Sequence, residues 1–255
     1  MANIVKALVA VLLLAAGLIT AAFGEVPADS TLPQLEAFRD AWVGRIKAMG
    51  YTPSLSAPPI VMDNPRSFGN YDDSNNVLHT GDWETLPPDQ KAIFGNFAQQ
   101  TGHGMTARAF FDLAVYKWIF VHELGHWWRK CQHQDANPYA EEKAANRIAA
   151  AYWHETDPQF YTFMVSVFQG VVDHVPSPVP AGQAKEAYLN ANYQNLPGGQ
   201  AYSWYQSVMN VEVSHELPFE TFQQAIQNAG NPLPAALIEK KLRPAESPTS
   251  PRDSH

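Results

Sequence analysis

Apolar and polar positions divide the chain into an apolar leader, a strand-like stretch and a series of helices. After Lys6 an uncharged run extends from Ala7 to Phe23, at the short end of the ~17–25 apolar residues that span a bilayer. Ala22-Phe23-Gly24 puts small residues at the two positions a signal peptidase reads, which predicts a signal peptide over residues 1–24 and a secreted or periplasmic protein. An uncleaved anchor is the alternative, and only then is a membrane a partner. Between Ala57 and Thr80, "PPIVM" and "GNYDDSNNVLHT" read as short strands with a turn at Asp73-Ser74-Asn75. "TLPPDQKAIFGNFAQQ" predicts a short helix with prolines at its start, followed by Gly102-His103-Gly104. A long helix is then expected from near Thr106 to about Arg129, with Phe110, Phe111, Ala114, Val115, Trp118 and Val121 as its apolar stripe.

The rest of the chain is helical in pattern. "CQHQDANP" is a polar turn, and "YAEEKAANRIAAAYWHE" has helical composition. Asp157-Pro158 caps a further helix through Val171. "SPVPAGQ" reads as a loop, and two last helices, "QAYSWYQSVMNVEVSHEL" and "PFETFQQAIQNA", are separated at Pro218. No internal repeat occurs. From Arg243 the Pro/Ser-rich tail cannot bury a core, so residues 25–242 are expected to form one helix-rich α+β domain and residues 243–255 a disordered tail.

Charge and cysteine content narrow the functional classes. A formal net charge of -8 without a basic stripe argues against nucleic acid as a partner. Cys131 is the only cysteine, so no internal disulfide forms and stability must come from core packing and any metal. Cys131 itself reads as a small buried hydrophobe.

"WIFVHELGHWWRK", Trp118 to Lys130, is an apolar run interrupted by His122, Glu123 and His126. Residues four apart share a helix face, so His122 and His126 can aim at one point while Glu123 projects about 100° away. Two satisfied core histidines are the plainer alternative. A catalytic zinc ion takes three protein ligands and leaves one position for water. The extended motif with a third histidine is rejected, since Arg129 replaces its glycine, Gln132 its histidine, and His133 misses by one residue.

At these residues the chain resembles the gluzincins, HExxH zinc peptidases whose third ligand is a glutamate from a following helix. "EEKAAN", Glu141 to Asn146, is similar to the E-x-x-A-N element of the ImmA/IrrE type. The resemblance implies a zincin-like domain with a small β-sheet packed on the HExxH helix. It makes His122, His126 and Glu142 the zinc ligands, Glu123 the general base, and Asn146 the partner of a ligand histidine. Glu141 is the alternative to Glu142, which is favoured because only it places Asn146 four residues on along the same face. Asp135 is a further oxygen donor. The resemblance also implies that the "NVLHT" strand borders the cleft and pairs with an extended peptide.

Such a constellation implies a peptide or protein substrate, hydrolysed by a zinc-activated water whose proton Glu123 takes. An oxyanion donor is also needed; Tyr205, His174 and His215 qualify, with Tyr205 preferred. Trp127 and Trp128 are either pocket walls or core. Two other chemistries fit some of the same letters. A di-iron carboxylate bundle would use Glu123-x-x-His126 and Glu212-x-x-His215, and a zinc-containing peptide-binding module would have no turnover. The repeat of the motif's letters in "SHELPF" lacks the second histidine and reads as coincidence.

Overall fold

The computed structural model of the chain describes residues 31–100, 104–196, 198–217 and 220–233; the leader, the Pro/Ser-rich tail, His103, Pro218 and Phe219 lie outside them. Helix α1 (Thr31–Ala48) buries Leu35, Trp42, Val43 and Ile46. The short strands β1 (Ile60–Met62), β2 (Gly69–Asp72) and β3 (Val77–Thr80) follow, then α2 (Pro88–Gln100). Helix α3 (Ala107–Phe111), a π-helical segment (Asp112–Ile119) and α4 (Phe120–Cys131) come next in sequence with no residue between them. The second half consists of α5 (Pro138–Thr156), α6 (Pro158–His174), α7 (Lys185–Asn192), a 3-10 turn (Tyr193–Asn195), α8 (Gly198–Glu216) and α9 (Phe222–Gln227). The architecture is thus α+β and rich in helix, with one small mixed sheet.

Local chemistry explains the boundaries. Thr106 accepts the Ala109 N–H at 3.0 Å and opens α3, while Asn137 and Asp157 do the same for α5 and α6, each ahead of a proline. Helix α6 runs to His174, one turn beyond the expected Val171, and α1 and α7 are helices that the apolar pattern does not announce. The expected stripe is buried at Phe110, Phe111, Val115, Trp118 and Val121, and burial spreads to Leu113 and Tyr116. That spread accompanies the π segment, whose i→i+5 bonding turns successive side chains through smaller angles than an α-helix does.

The sheet order is β1-β3-β2, with β1 parallel and β2 antiparallel to β3. Tyr71 and Ile60 both lie opposite Leu78. The "NVLHT" strand is therefore paired on both sides and offers no free edge, contrary to expectation. The strand lying against α4 with an open side is β2. It approaches closely because Gly69 lacks a side chain: a Cβ there would lie 2.2 Å from Ile119 Cγ2 and 3.2 Å from Glu123 Cγ.

One large core joins α1, the sheet, α4, α5 and α9. Trp42 stands edge-on to both Trp127 and Phe222, with ring centroids 6.1 and 6.0 Å away. Trp127 and Trp128 are fully buried, their indole N–H groups on the carbonyls of Ser56 and Ile226, so they are core. Cys131 is buried and free. A second cluster, Tyr139, Leu189, Trp204, Tyr205 and Met209, joins α5, α7 and α8. No helix among the described residues is long and apolar enough to cross a membrane.

Candidate metal centre

Helices α4 and α5 meet where α4 has a glycine. A Cβ at Gly125 would sit 3.1 Å from the Ala145 carbonyl oxygen and 3.2 Å from its Cα, so a side chain there would press on the Ala145 backbone and its absence favours this close approach. The approach brings Glu142 of α5 over His122 and His126 of α4. His122 Nε2 and His126 Nε2 are 3.1 Å apart, and Glu142 Oε2 lies 3.2 and 3.7 Å from them. One ligand atom from each of the three residues falls within 4.8 Å of the others, and the group could hold a metal ion.

Hydrogen bonding fixes which atom each histidine presents. Glu142, a carboxylate, only accepts; Gln206 donates its Nε2 to Glu142 Oε2 at 2.7 Å. The Gln206 carbonyl oxygen must then face Asn146, which donates its Nδ2 to it at 2.7 Å. Asn146 Oδ1 is left to accept from His122 Nδ1 at 2.9 Å and from Asn210 Nδ2 at 3.1 Å. His122 therefore carries its proton on Nδ1 and aims the Nε2 lone pair into the cluster. His126 Nδ1 likewise faces Glu141 Oε1 at 3.2 Å, and Glu141 is itself held by Arg129 through two bonds of 2.9 and 2.8 Å. Arg129 is buried and also donates to the Ala229 carbonyl. Glu141 thus supports His126 from behind and stands outside the three-residue group.

Three electron-rich atoms facing one another in a buried site require a positive charge between them. Burial opposes charge on His126, but its bonds to Glu141 and Glu142 prevail and push its pKa up to about 10. Burial also opposes the Glu142 carboxylate, yet the two histidines hold it well below the usual carboxylate range. Two imidazole nitrogens and one carboxylate oxygen, each histidine backed by an oxygen acceptor, form a donor set that suits zinc.

Glu123 lies beside the three without a bond to any of them and reaches the sheet. Its Oε2 accepts the Tyr71 N–H of β2 at 2.8 Å, a contact permitted by the close approach at Gly69. Glu123 also lines a cavity of about 620 Å³ together with His126, Glu142, the β2 edge and two phenols, Tyr193 and Tyr202. Tyr193 donates to Glu142 Oε1, and Tyr202 donates to Oε2 at 3.2 Å. Burial, and then the Glu142 charge, raise both phenols above their ordinary range, so both remain donors at neutral pH.

Tyr205 is not brought to this site. It is fully buried in the second apolar cluster, and its hydroxyl donates to the Lys185 carbonyl at 3.1 Å. His174 and His215 are exposed, His174 with Nδ1 on the Gly170 carbonyl. Asp135 is exposed at the cavity rim, outside the three-residue group. Glu212 accepts from Tyr139, Lys143 and Lys185, away from the histidines. Sequence reasoning passed over Tyr193, Tyr202 and Gln206. For Tyr202 and Gln206 the only signal is their four-residue spacing on one face of α8, and Tyr193 lies in a 3-10 turn with no pattern at all. No protein-family model, curated protein or solved structure matches this chain.

Proposed function

We propose that the protein is a zinc-dependent metallopeptidase of the gluzincin type, with a zincin-like fold, exported from the cell. The observation that carries this is the convergence of His122 Nε2, His126 Nε2 and Glu142 Oε2 beside a buried carboxylate, Glu123, that belongs to none of their bonds. A site that only stores a metal has no use for such a group. A zinc ion held by the three residues would supply a bound water with pKa near 7 and polarise the scissile carbonyl.

The chain's own residues have distinct tasks in that reaction. Glu123 is anchored through Oε2 by the Tyr71 N–H, which leaves Oε1 to take a proton from water and pass it to the leaving amine. Tyr193 and Tyr202 line the cavity and would take the oxyanion-donor role in place of Tyr205, by turning the O–H that each gives Glu142. Because the Tyr71 N–H points away from β3, alternation along the strand turns the Tyr71 carbonyl and the Gly69 N–H outward as well, while Ser67 takes the Gly69 carbonyl. An extended peptide can add to that edge, next to Glu123. Export rests on the leader sequence, Lys6 followed by the apolar run to Phe23.

The di-iron alternative needs Glu212 as a ligand, and two lysines neutralise that carboxylate in the structure. The binding-module alternative differs only in turnover, so one experiment separates it. Zinc content and cleavage of a mixed peptide library are measured for the wild type and for Glu123→Gln. One zinc per chain in both, with cleavage slowed about 10²–10⁴-fold in the variant, is expected. Equal cleavage by both proteins removes Glu123 as the base, and no cleavage by either removes the peptidase.

A further inference from the structure

We infer that the cleft selects extended peptides by the order of their charges, basic on the amino-terminal side of the scissile bond and acidic on the carboxyl-terminal side. The inference rests on the peptidase reading of the same site and adds a substrate class to it. Its basis is an unbalanced charge at each end of the β2 edge.

Strand β2 and helix α4 run side by side in the same direction. Gly69 lies against Ile119 and Glu123, Tyr71 reaches Glu123, and Asp73 just past the strand bonds Lys130 at 2.6 Å. The cleft therefore has a Gly69 end and an Asp73 end, about 13 Å apart at ~3.3 Å per residue, room for about four residues of extended peptide. At the Gly69 end a turn closed by the Phe68 N–H on the Pro65 carbonyl, 2.8 Å, presents Arg66 to the cavity. The turn is held in place. Phe68 adopts φ 63, its ring packs edge-on to Phe94 at 4.8 Å, and Ser67 Oγ donates to the Gly69 carbonyl at 2.5 Å. Arg66 is exposed and makes no ion pair among the described residues.

At the Asp73 end Lys130 neutralises Asp73, and Asp135 remains. Asp135 is exposed, lines the cavity, and is near enough to raise the Lys130 pKa, after the larger effect of Asp73. The two ends thus differ in sign. Antiparallel pairing is the more stable per residue, and a peptide antiparallel to β2 enters with its amino-terminal half at the Asp73 end and its carboxyl-terminal half beside Arg66. Asp135 then meets a basic residue and Arg66 an acidic one.

The test uses two octapeptides of identical composition with acetylated and amidated ends, one with Lys-Lys before and Glu-Glu after a shared apolar centre, the other with the charges exchanged. Binding to zinc-supplemented Glu123→Gln is measured by calorimetry, and cleavage by the wild type in parallel. The lysine-first peptide is expected to bind about fivefold tighter, as two exposed ion pairs allow, with the difference lost in about 0.5 M salt. The Arg66→Glu/Asp135→Lys double variant, made in the Glu123→Gln background, should prefer the glutamate-first peptide. Equal binding, the opposite preference, no binding of either peptide, or a preference untouched by the double substitution overturns the inference. Equal binding alongside wild-type cleavage overturns charge selection alone. Ordered binding without any cleavage keeps charge selection and overturns the peptidase.

Discussion

His122 owes its tautomer to a chain of partners that begins at Glu142 and passes through Gln206 and Asn146 before returning to the imidazole. Each link constrains the next because a carboxylate cannot donate and an amide has one end of each kind. The prediction at this scale concerns Gln206, which touches no candidate ligand nitrogen. Gln206→Leu should lower zinc affinity about tenfold with the fold intact, and Gln206→Glu should lower it further by placing a second carboxylate against Glu142. Competition with a chromophoric chelator measures both, and unchanged affinity in the pair would deny the relay. Single residues also mark where sequence falls short. Tyr202 and Tyr205 are three apart on α8, yet one faces Glu142 and the other the Lys185 carbonyl. Helical phase at this spacing does not separate them; the neighbours that do, α5 and α7, are distant in sequence.

Among elements, the crossing of α4 and α5 decides whether three donors meet. Gly125 is the point of contact, and any side chain there presses on the Ala145 backbone. Gly125→Val is expected to cost about 1–3 kcal/mol through overpacking. Thermal melting and zinc affinity should fall together, and a variant that melts earlier but binds zinc normally would dissociate the crossing from the centre. The contacts of α8 with α5 and α7 contribute a pH dependence instead. Burial raises the Glu212 pKa, but its bonds to Lys143 and Lys185 outweigh burial and the net shift is downward. The folded chain therefore holds the Glu212 proton less tightly than the unfolded chain. The stabilisation is complete above the usual value of 4.5 and is lost as pH falls through the lower folded value. Glu212→Gln should flatten the decline in denaturation midpoint below about pH 4.5, and an unchanged slope would locate the dependence elsewhere.

Across the molecule, local signals were legible and non-local ones were not. The α4 helix with its histidines, the caps at Asn137 and Asp157, and the three short strands follow from spacing within a few residues. Strand order does not, since β1 joins β3 as a parallel neighbour and takes the edge that "NVLHT" was expected to offer. The π segment between α3 and α4 left no mark on the apolar pattern, and the wall formed by Tyr193 and Tyr202 depends on how α7 and α8 fold back over α5. The donor group itself unites two helices that are adjacent in sequence, which is why its members could be named from spacing and resemblance. The central claim is that His122, His126 and Glu142 hold one metal ion between them. Equilibrium zinc titration of the wild type, Glu141→Ala and Glu142→Ala tests it most directly. The account predicts one tight equivalent in the wild type, the same stoichiometry with affinity lowered about 10–100-fold in Glu141→Ala, and loss of the tight site in Glu142→Ala. Wild-type affinity in Glu142→Ala would contradict it.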